Sequence, residues 1–246
     1  DYNRVLQQLS FNLGTVKREQ IQGLYGKSLN LSASQIDLQA QCRLAYFLKY
    51  GLKIRERKPA QVDPAEFGTY VHWVLEQTVN TVMERGGFHE VSLEDTLEIA
   101  REAAESYGKT HFSQLDSQRL RYLFQRNDQE LFWIVRELWE ELQASAFAPA
   151  GTEVAFGGDG DLPPVPVSGR AMEAQLRGFV DRVDVWQEGT NRYFRVVDYK
   201  TGKKDFDYCD IYNGLGLQML LYLFSLEEQG KSLLGDNPHG VGVQYF

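Results

Sequence analysis

Residues 178–202 have the sequence GFVDRVDVWQEGTNRYFRVVDYKTG, two β-branched and aromatic runs on either side of a glycine-containing turn. Runs of this composition around such a turn predict a β-hairpin. We expect the turn to place Gln187 opposite Arg192. Antiparallel pairing keeps the sum of paired residue numbers constant, so Asp181 then faces Asp198. A slip of one residue would send one aspartate to the other face of the sheet.

The predicted pairing places like charges opposite each other, where Cβ atoms lie about 4.5–5.5 Å apart and carboxylates repel. A divalent cation between them removes the conflict, and hard ions such as Mg²⁺ prefer carboxylate oxygens. Strand alternation puts Lys200 on the face of Asp198 and turns Asp184 away from Asp181, towards a neighbouring arginine. A metal beside an ammonium group suits phosphodiester hydrolysis, because both stabilise negative charge in the transition state.

Before the hairpin, the chain has helical periodicity. A first helix is predicted from an N-cap at Ser34 to Gly51, and a second from Pro64 to Arg85 contains His72. Two further helices are predicted at Ser92–His111 and Asp116–Gln143. We therefore expect a helical part over residues 1–148.

From Pro149 onward, glycine, proline and short β-branched runs indicate a sheet region over residues 149–246. The strands are expected at Glu153–Phe156, Ala174–Trp186, Tyr193–Tyr199 and Val241–Phe246, with a loop at Gly157–Pro166 and a helix at Asp210–Gln229. The last strand is expected to be cut short by the chain end. Helices and strands in this order predict a mixed α/β (α+β) fold.

The net charge of −8 over 246 residues argues against a protein that coats nucleic acid nonspecifically, since phosphate binding depends on lysine and arginine. A local DNA track is still open to the chain. Five basic residues lie between the first two helices: Lys49, Lys53, Arg55, Arg57 and Lys58. An ordinary solvated basic face is an equally good interpretation of this segment taken alone.

The two cysteines, Cys42 and Cys209, are too few for a disulfide framework and lack the paired spacing of a zinc site. The apolar run 215–226 is shorter than the roughly 20 residues that span a bilayer. The N-terminal residues show no secretory signal, so a cytoplasmic protein without a membrane segment is expected. Because the chain begins without Met, we expect a piece of a longer protein.

Several motifs occur in an order that resembles the PD-(D/E)XK nuclease superfamily, in its RecB-like branch. The resemblance extends over nearly the whole chain and is strongest to the C-terminal nuclease domain of the AddB family of helicase–nuclease subunits. It is carried by Leu31–Ser34 with Cys42–Leu52, Gly68-Thr69-Tyr70-Val71-His72, Asp181, Asp198-Tyr199-Lys200, and Gln218-Met219-Leu220-Leu221-Tyr222.

The resemblance implies a restriction-endonuclease-like core, in which helices flank a central mixed sheet, with an added N-terminal helical part. It implies a metal site and a catalytic set. The metal ligands would be His72, Asp181, Asp198 and the main-chain carbonyl of Tyr199. The catalytic residues would be Asp181, Asp198, Lys200, Gln218 and Tyr222. The expected cofactor is Mg²⁺, for which Mn²⁺ can substitute.

The resemblance also implies partners and a biological role. The chain would be a deoxyribonuclease, an exonuclease that acts on single-stranded DNA from an unwound end during recombinational repair of double-strand breaks. Its expected partner is an AddA-like helicase–nuclease subunit.

An iron–sulfur cluster is a further implication. In the AddB family, a cysteine at the position of Cys42 joins three others near the C-terminus to hold a 4Fe–4S cluster, and four thiolates are normally needed. This sequence ends at Phe246 without them, and Cys209 matches none of the three. We therefore expect no cluster in this chain, and one in a longer protein only if it supplies the other cysteines.

Each motif alone has an ordinary explanation. An Asp-x-Lys on a strand is usually a surface ion pair, and a lone helical histidine is usually structural.

The alternative function is a noncatalytic module that keeps the nuclease fold to bind or recognise DNA. Retention of mutually repelling carboxylates argues against it. A stand-alone RNA or restriction nuclease would share the site but not the segment Cys42–Leu52. Glu153 stays open between a site residue and a solvated side chain.

Overall fold

The computed structural model describes residues 17–55, 64–112, 118–158, 160–168, 172–200, 202 and 206–246. Its α-helices are α1 Arg18–Tyr25, α2 Ala33–Gln41, α3 Arg43–Tyr46, α4 Pro64–Glu84, α5 Leu93–Phe112, α6 Gln118–Ala144, α7 Tyr208–Tyr212, α8 Gln218–Gln229 and α9 Lys231–Leu234, and a π-helical turn covers Phe47–Gly51. Its strands are β1 Ser28–Leu31, β2 Ala148–Phe156, β3 Val165–Ser168, β4 Glu173–Leu176, β5 Gly178–Glu188, β6 Asn191–Asp198 and β7 Pro238–Tyr245.

The main sheet has the strand order β2-β5-β6-β7. Strands β2, β5 and β6 pair antiparallel, and β7 joins β6 in parallel. A second sheet has the order β1-β4-β3, in which β1 and β4 are parallel. The predicted fold class, a mixed sheet flanked by helices, is confirmed.

The predicted hairpin is formed by β5 and β6 with the expected register. Gln187 pairs with Arg192, and the ladder of paired residues ends at Arg182 and Val197. The turn includes Gly189, whose φ of +60° is a left-handed conformation that glycine adopts without steric penalty. Asp181 and Asp198 are the next residues of their strands beyond the last pair.

Side-chain alternation along β6 connects the sheet to two separate hydrophobic cores. Val197 and Tyr199 pack with buried residues of α4, α5 and α6. Phe194 and Val196 pack with buried residues of α8 in the other core. The hairpin is therefore held between helices on its two faces, which places its open end beside both α4 and α8.

A buried ionic network joins helix α6 to the sheet. Arg182 is fully buried, and its Nε lies 2.8 Å from Asp184 Oδ1. Arg195 Nε donates to Asp184 Oδ2 at 2.9 Å, and Arg195 Nη2 lies 2.5 Å from Oε1 of Glu141 on α6. Asp184 therefore faces away from Asp181 and pairs with neighbouring arginines, as the sequence predicted.

The first predicted helix begins earlier than expected and is interrupted. Its N-cap is Ser32 rather than Ser34, because Ser32 and Gln35 form a reciprocal capping box in which each side chain accepts from the other residue's N–H. At Cys42 the backbone is extended, with φ −155° and ψ 103°, so the helix divides into α2 and α3.

The second half contains more breaks than the sequence pattern predicts. The predicted strand Ala174–Trp186 is divided at Arg177 into β4 and β5, which belong to different sheets. The predicted helix Asp210–Gln229 is divided into α7 and α8 by a segment that contains Gly214 and Gly216, both with positive φ. Glycine in this conformation ends a helix readily.

Two short strands were missed or misplaced. Strand β3 begins at Val165, inside the predicted loop, and β1 lies in the part predicted as helical. Each is four residues long, too short to show a periodic pattern. No helix in the described part of the chain is long and apolar enough to cross a membrane.

The buried ionic network between α6 and the sheet leads to a prediction about stability. Asp184→Ala is expected to lower the free energy of unfolding by about 3–5 kcal/mol, because Arg182 and Arg195 lose the carboxylate that they share. Urea denaturation measures the change. Glu188→Ala, an exposed position on the same strand, is the control and should change stability by less than about 0.5 kcal/mol. If Asp184→Ala lowers the free energy of unfolding by less than about 1 kcal/mol, Glu141 alone is sufficient to neutralise Arg182 and Arg195.

Candidate metal centre and active site

The open end of the hairpin meets helix α4 and strand β2 in a cluster of polar side chains. His72, Glu153 and Asp181 each offer a ligand atom, and these atoms all lie within 4.8 Å of one another. The three come from α4, β2 and β5, so they converge only in the folded chain. His72 lies within the helix predicted for it.

His72 contacts both the hairpin backbone and a carboxylate. Its Nε2 lies 2.9 Å from the Tyr199 carbonyl oxygen, and its Nδ1 lies 3.5 Å from Asp181 Oδ2. Burial lowers the pKa of His72, but the contacts with Asp181 and the Tyr199 carbonyl raise it by more, so that its pKa is raised. The histidine, the carbonyl and the carboxylate therefore form one connected group.

Asp181 is anchored where β5 and β6 stop pairing. Its Oδ2 accepts a hydrogen bond from the Tyr199 N–H at 2.6 Å. This N–H lies beyond the last backbone pair of the ladder, which is Arg182 with Val197. Its acceptor is therefore the Asp181 side chain rather than a backbone carbonyl of β5. The bond fixes the Asp181 carboxylate next to the Tyr199 peptide group.

Asp198 is buried, with 2% of its surface exposed, and contacts two side chains. It forms an ion pair with Lys200, and its Oδ1 accepts a hydrogen bond from Gln218 Nε2 at 3.0 Å. Burial raises the pKa of Asp198; the Lys200 ammonium lowers it and the nearby Asp181 carboxylate raises it, for a net increase. The hairpin register places the two aspartates on neighbouring strands, each one residue beyond the last pair.

Gln218 and Tyr222 lie one turn apart on α8 and face this cluster. Gln218 Nε2 lies 3.3 Å from the Tyr222 hydroxyl oxygen. Burial raises the pKa of Tyr222 to about 12, so the hydroxyl is protonated at neutral pH. A Cβ at Gly178 would lie 2.7 Å from Tyr222 Cε1, so glycine is required for this close approach. Gln218 makes a part-buried contact with Asp198 and Tyr222 contacts Gln218, so the pair is not a solvated helix edge.

Glu153 is a site residue that the sequence left open. It lies on β2 between Thr152, which pairs with Arg182, and Val154, which pairs with Val180, and so opposite Asp181. Its φ of +47° is a left-handed conformation that few residues other than glycine adopt. Burial raises its pKa, and the Asp181 carboxylate raises it further. In the sequence, Glu153 is recognisable only as an acidic residue on a predicted strand. Its left-handed backbone conformation could not be predicted from the sequence.

Other predicted residues lie elsewhere or outside the described residues. Lys49, Lys53 and Arg55 are exposed in the segment that follows α3, and Arg57 and Lys58 lie outside the described residues. Cys42 and Cys209 are exposed free thiols, and neither belongs to the metal-capable group found in the described residues. Cys42 Sγ accepts from Ala45 N at 3.4 Å and caps α3.

The donor set fits a divalent cation. The carboxylates of Glu153 and Asp181 supply oxygen ligands, His72 supplies a nitrogen, and the Tyr199 carbonyl oxygen lies beside His72. Asp198 is not a member of this metal-capable group among the described residues, because its carboxylate pairs with Lys200 and accepts from Gln218. Hard cations such as Mg²⁺ and Mn²⁺ prefer oxygen ligands, and buried carboxylates that repel one another are neutralised by such an ion. No thiolate is part of this group among the described residues.

Glu153 can be tested without disturbing the other ligands. Glu153→Asn is expected to stabilise the metal-free protein by roughly 1 kcal/mol, because asparagine tolerates left-handed backbone and carries no charge against Asp181. It is also expected to weaken Mn²⁺ binding, since one carboxylate is lost. Thermal unfolding in EDTA and calorimetric Mn²⁺ titration measure the two effects.

The control for Glu153 is Glu173→Asn, an exposed position on β4. This variant should bind Mn²⁺ like the wild type. Unchanged Mn²⁺ affinity in Glu153→Asn as well would exclude Glu153 from the metal site.

Comparison with known proteins agrees with this geometry. The family model of the PD-(D/E)XK nuclease superfamily matches residues 30–246. A Clostridium novyi protein, named as a subunit of an ATP-dependent helicase/deoxyribonuclease, is 37% identical over 216 residues, 85% of this chain and 19% of that protein. The Moorella thermoacetica protein of the same name is 34% identical over 232 residues, 93% of this chain and 20% of that protein.

The chain spans about a fifth of the length of these curated relatives. The family match, in contrast, extends over most of the chain, including every residue of the cluster described above. The chain therefore belongs to the PD-(D/E)XK nuclease superfamily.

Proposed function

We propose that this chain is the metal-dependent nuclease domain of a helicase–nuclease subunit and that it hydrolyses phosphodiester bonds in DNA. The observation that supports the proposal best is the convergence of three carboxylates, an imidazole and a lysine at the open end of the β5–β6 hairpin. The name of the relatives, which includes the words helicase and deoxyribonuclease, agrees with DNA as the substrate.

The proposed metal ligands are His72, Asp181, Asp198 and the Tyr199 carbonyl, with Glu153 as an added candidate. Mg²⁺ is the proposed ion, and Mn²⁺ can replace it. When bound, such an ion polarises a phosphoryl oxygen and lowers the pKa of a water molecule. The protein holds the ligands in place through the Tyr199 N–H bond to Asp181 and the Gln218 bond to Asp198.

Lys200 is the proposed electrostatic catalyst. Its ammonium group pairs with Asp198 and is partly exposed, so it can contact a phosphate that approaches from solvent. A positive charge at this position stabilises the negative charge that grows on the phosphoryl oxygens. Gln218 and Tyr222 act as positioning residues, because Gln218 donates to Asp198 and to the Tyr222 hydroxyl oxygen.

The proposed substrate is single-stranded DNA from an unwound end, cleaved by an exonuclease during recombinational repair. The proposed partner is an AddA-like helicase–nuclease subunit, and the proposed location is the cytoplasm. Lys49, Lys53 and Arg55, with Arg57 and Lys58 beyond the described residues, form the proposed DNA track. Cys42 would enter a 4Fe–4S cluster only in a longer protein that supplies three more thiolates.

The metal ligands give the first test of this function. Asp181→Ala and Asp198→Ala are expected to abolish cleavage of single-stranded DNA in Mg²⁺ or Mn²⁺ and to weaken Mn²⁺ binding, because each removes a ligand. Each change also removes one member of a repelling pair, so the fold should be intact. A gel assay of labelled DNA and calorimetric Mn²⁺ titration give the two readouts.

The control for the ligand variants is Asp210→Ala, an exposed aspartate in α7, which should cleave DNA and bind Mn²⁺ like the wild type. Wild-type Mn²⁺ affinity in both site variants would show that the ligands are wrong. Cleavage by the wild type that persists in EDTA would contradict metal dependence. DNA binding without cleavage by the wild type in either metal would instead support a noncatalytic module.

Lys200 gives a separate test. Lys200→Ala is expected to bind Mn²⁺ as the wild type does but to lose about 10²–10³-fold in cleavage rate, because the ammonium acts on the transition state and not on the metal. Lys231→Ala, at an exposed lysine of α9, is the control and should keep the full rate. An unchanged cleavage rate in Lys200→Ala would show that Lys200 is not the electrostatic catalyst.

A further inference from the structure

A cavity of about 500 Å³ lies among α1, β1 and the π-helical turn, apart from the metal ligands. Three tyrosines, Tyr25, Tyr46 and Tyr50, line it together with Lys49 and Lys53, and the other described residues that line it are uncharged. The volume is within the range of about 300–1,000 Å³ that is usual for small-ligand sites. The described part of the lining is therefore basic, although the net charge of the chain is −8.

The three tyrosines form a continuous series of rings. Tyr25 and Tyr46 are stacked with ring centroids 5.9 Å apart and planes 24° apart, and the Tyr46 and Tyr50 centroids are 5.2 Å apart. Each tyrosine is only partly buried. The rings come from two segments, α1 and the α3–π-helical region, so tertiary structure brings them together.

Backbone geometry maintains this arrangement. A Cβ at Gly51 would lie 2.7 Å from the Tyr25 hydroxyl oxygen, so the absence of a side chain at Gly51 allows Tyr25 to pack against the π-helical turn. Such turns are rare and occur frequently at functional sites. The unusual turn thus helps to set the spacing of the tyrosines around the cavity.

Lysine side chains flank the tyrosine rings. Lys49 Nζ lies 5.4 Å from the centroid of the Tyr50 ring. Lys53 is exposed and has a φ of +57°, a strained conformation for a residue with a side chain. A hydrogen bond of 3.0 Å from Ile54 N to Leu48 O closes this turn. Strain of this kind is found most often at functional sites.

Helix α2 connects the cavity to the proposed active site. Gln35 of α2 lines the cavity. Ala33 and Ile36 of the same helix pack in the hydrophobic core that contains Met219 and Tyr222 of α8. Tyr222 contacts Gln218, which binds Asp198. The cavity and the cluster of carboxylates therefore belong to one packed unit.

We propose that this cavity binds single-stranded DNA, with bases stacked on the tyrosine rings and phosphates bound by Lys49 and Lys53. Aromatic rings beside cationic side chains are the combination that binds single strands without reading their sequence, because every base has a π-face. The inference rests on the proposed function, because it takes DNA as the substrate and Lys49 and Lys53 as part of the DNA track. It adds the cavity and its three tyrosine rings, none of which belongs to the metal-capable group.

The test measures binding in EDTA, where cleavage is blocked, by the fluorescence anisotropy of a labelled oligothymidylate. Tyr50→Leu is expected to weaken binding by about 5- to 150-fold, which corresponds to the loss of one stacked base, without changing the salt dependence. Tyr50→Phe keeps the ring and should bind like the wild type. An equal loss in Tyr50→Phe would overturn the inference, because stacking does not require the hydroxyl.

The variant Lys53→Asn distinguishes the effect of the lysine charge on DNA binding from an effect on stability. Asparagine tolerates the left-handed conformation, so thermal stability should be retained while one phosphate contact is lost. The slope of log K against log salt is then expected to fall by about 0.7. Lys27→Asn, an exposed lysine next to α1 that does not line the cavity, is the matched control and should leave the slope unchanged. Tyr212→Leu, at a tyrosine 92% exposed on α7, controls for the loss of a ring.

A second substrate separates this inference from the proposed function. Bis(4-nitrophenyl) phosphate contains the scissile diester but no series of bases to stack on the tyrosine rings, so its hydrolysis by the wild type tests the cleavage chemistry alone. If the wild type hydrolyses neither this diester nor DNA, the proposed function fails while the binding result stands. If Tyr50→Leu binds DNA with wild-type affinity and Lys53→Asn keeps the wild-type slope, the cavity does not bind DNA and the inference is overturned.

Discussion

The hydrogen bond from the Tyr199 N–H to the Asp181 carboxylate determines the geometry on which the rest of the site depends. It replaces a backbone pair at the end of the β5–β6 ladder, so the strands are still tied together where regular pairing stops. The carbonyl oxygen of the same residue contacts His72 on α4. The backbone of Tyr199 therefore connects the hairpin, the Asp181 carboxylate and helix α4.

On the opposite face of the hairpin, the Tyr199 side chain is held by a network of buried charges. Arg182 Nη1 donates to the Tyr199 hydroxyl at 3.2 Å, and the same guanidinium pairs with Asp184. Glu141 on α6 completes the network with Arg195. Buried charges are stable only when they are paired, so this network specifies how α6 docks on the sheet. The strand alternation that sends Asp181 to the site also sends Asp184 to the network.

Charge is distributed unevenly over the chain. The carboxylates of Glu153, Asp181 and Asp198 lie at the end of the hairpin, whereas Lys49 and Lys53 line the tyrosine-lined cavity beside α1. Under the proposed function, one place would hold a DNA strand while the other cleaves it. Net charge alone does not decide nucleic-acid binding, since the phosphate contacts of a protein are local.

The sequence by itself determined the hairpin register and the helix that carries His72, because period-two and helical patterns depend on neighbouring residues. From the order of its motifs it also indicated the nuclease superfamily. Tertiary structure decided the rest. Glu153 enters the site through a left-handed backbone conformation, and Tyr25 meets Tyr46 across separate segments over Gly51. Such features depend on packing between parts distant in sequence, which local propensity does not encode.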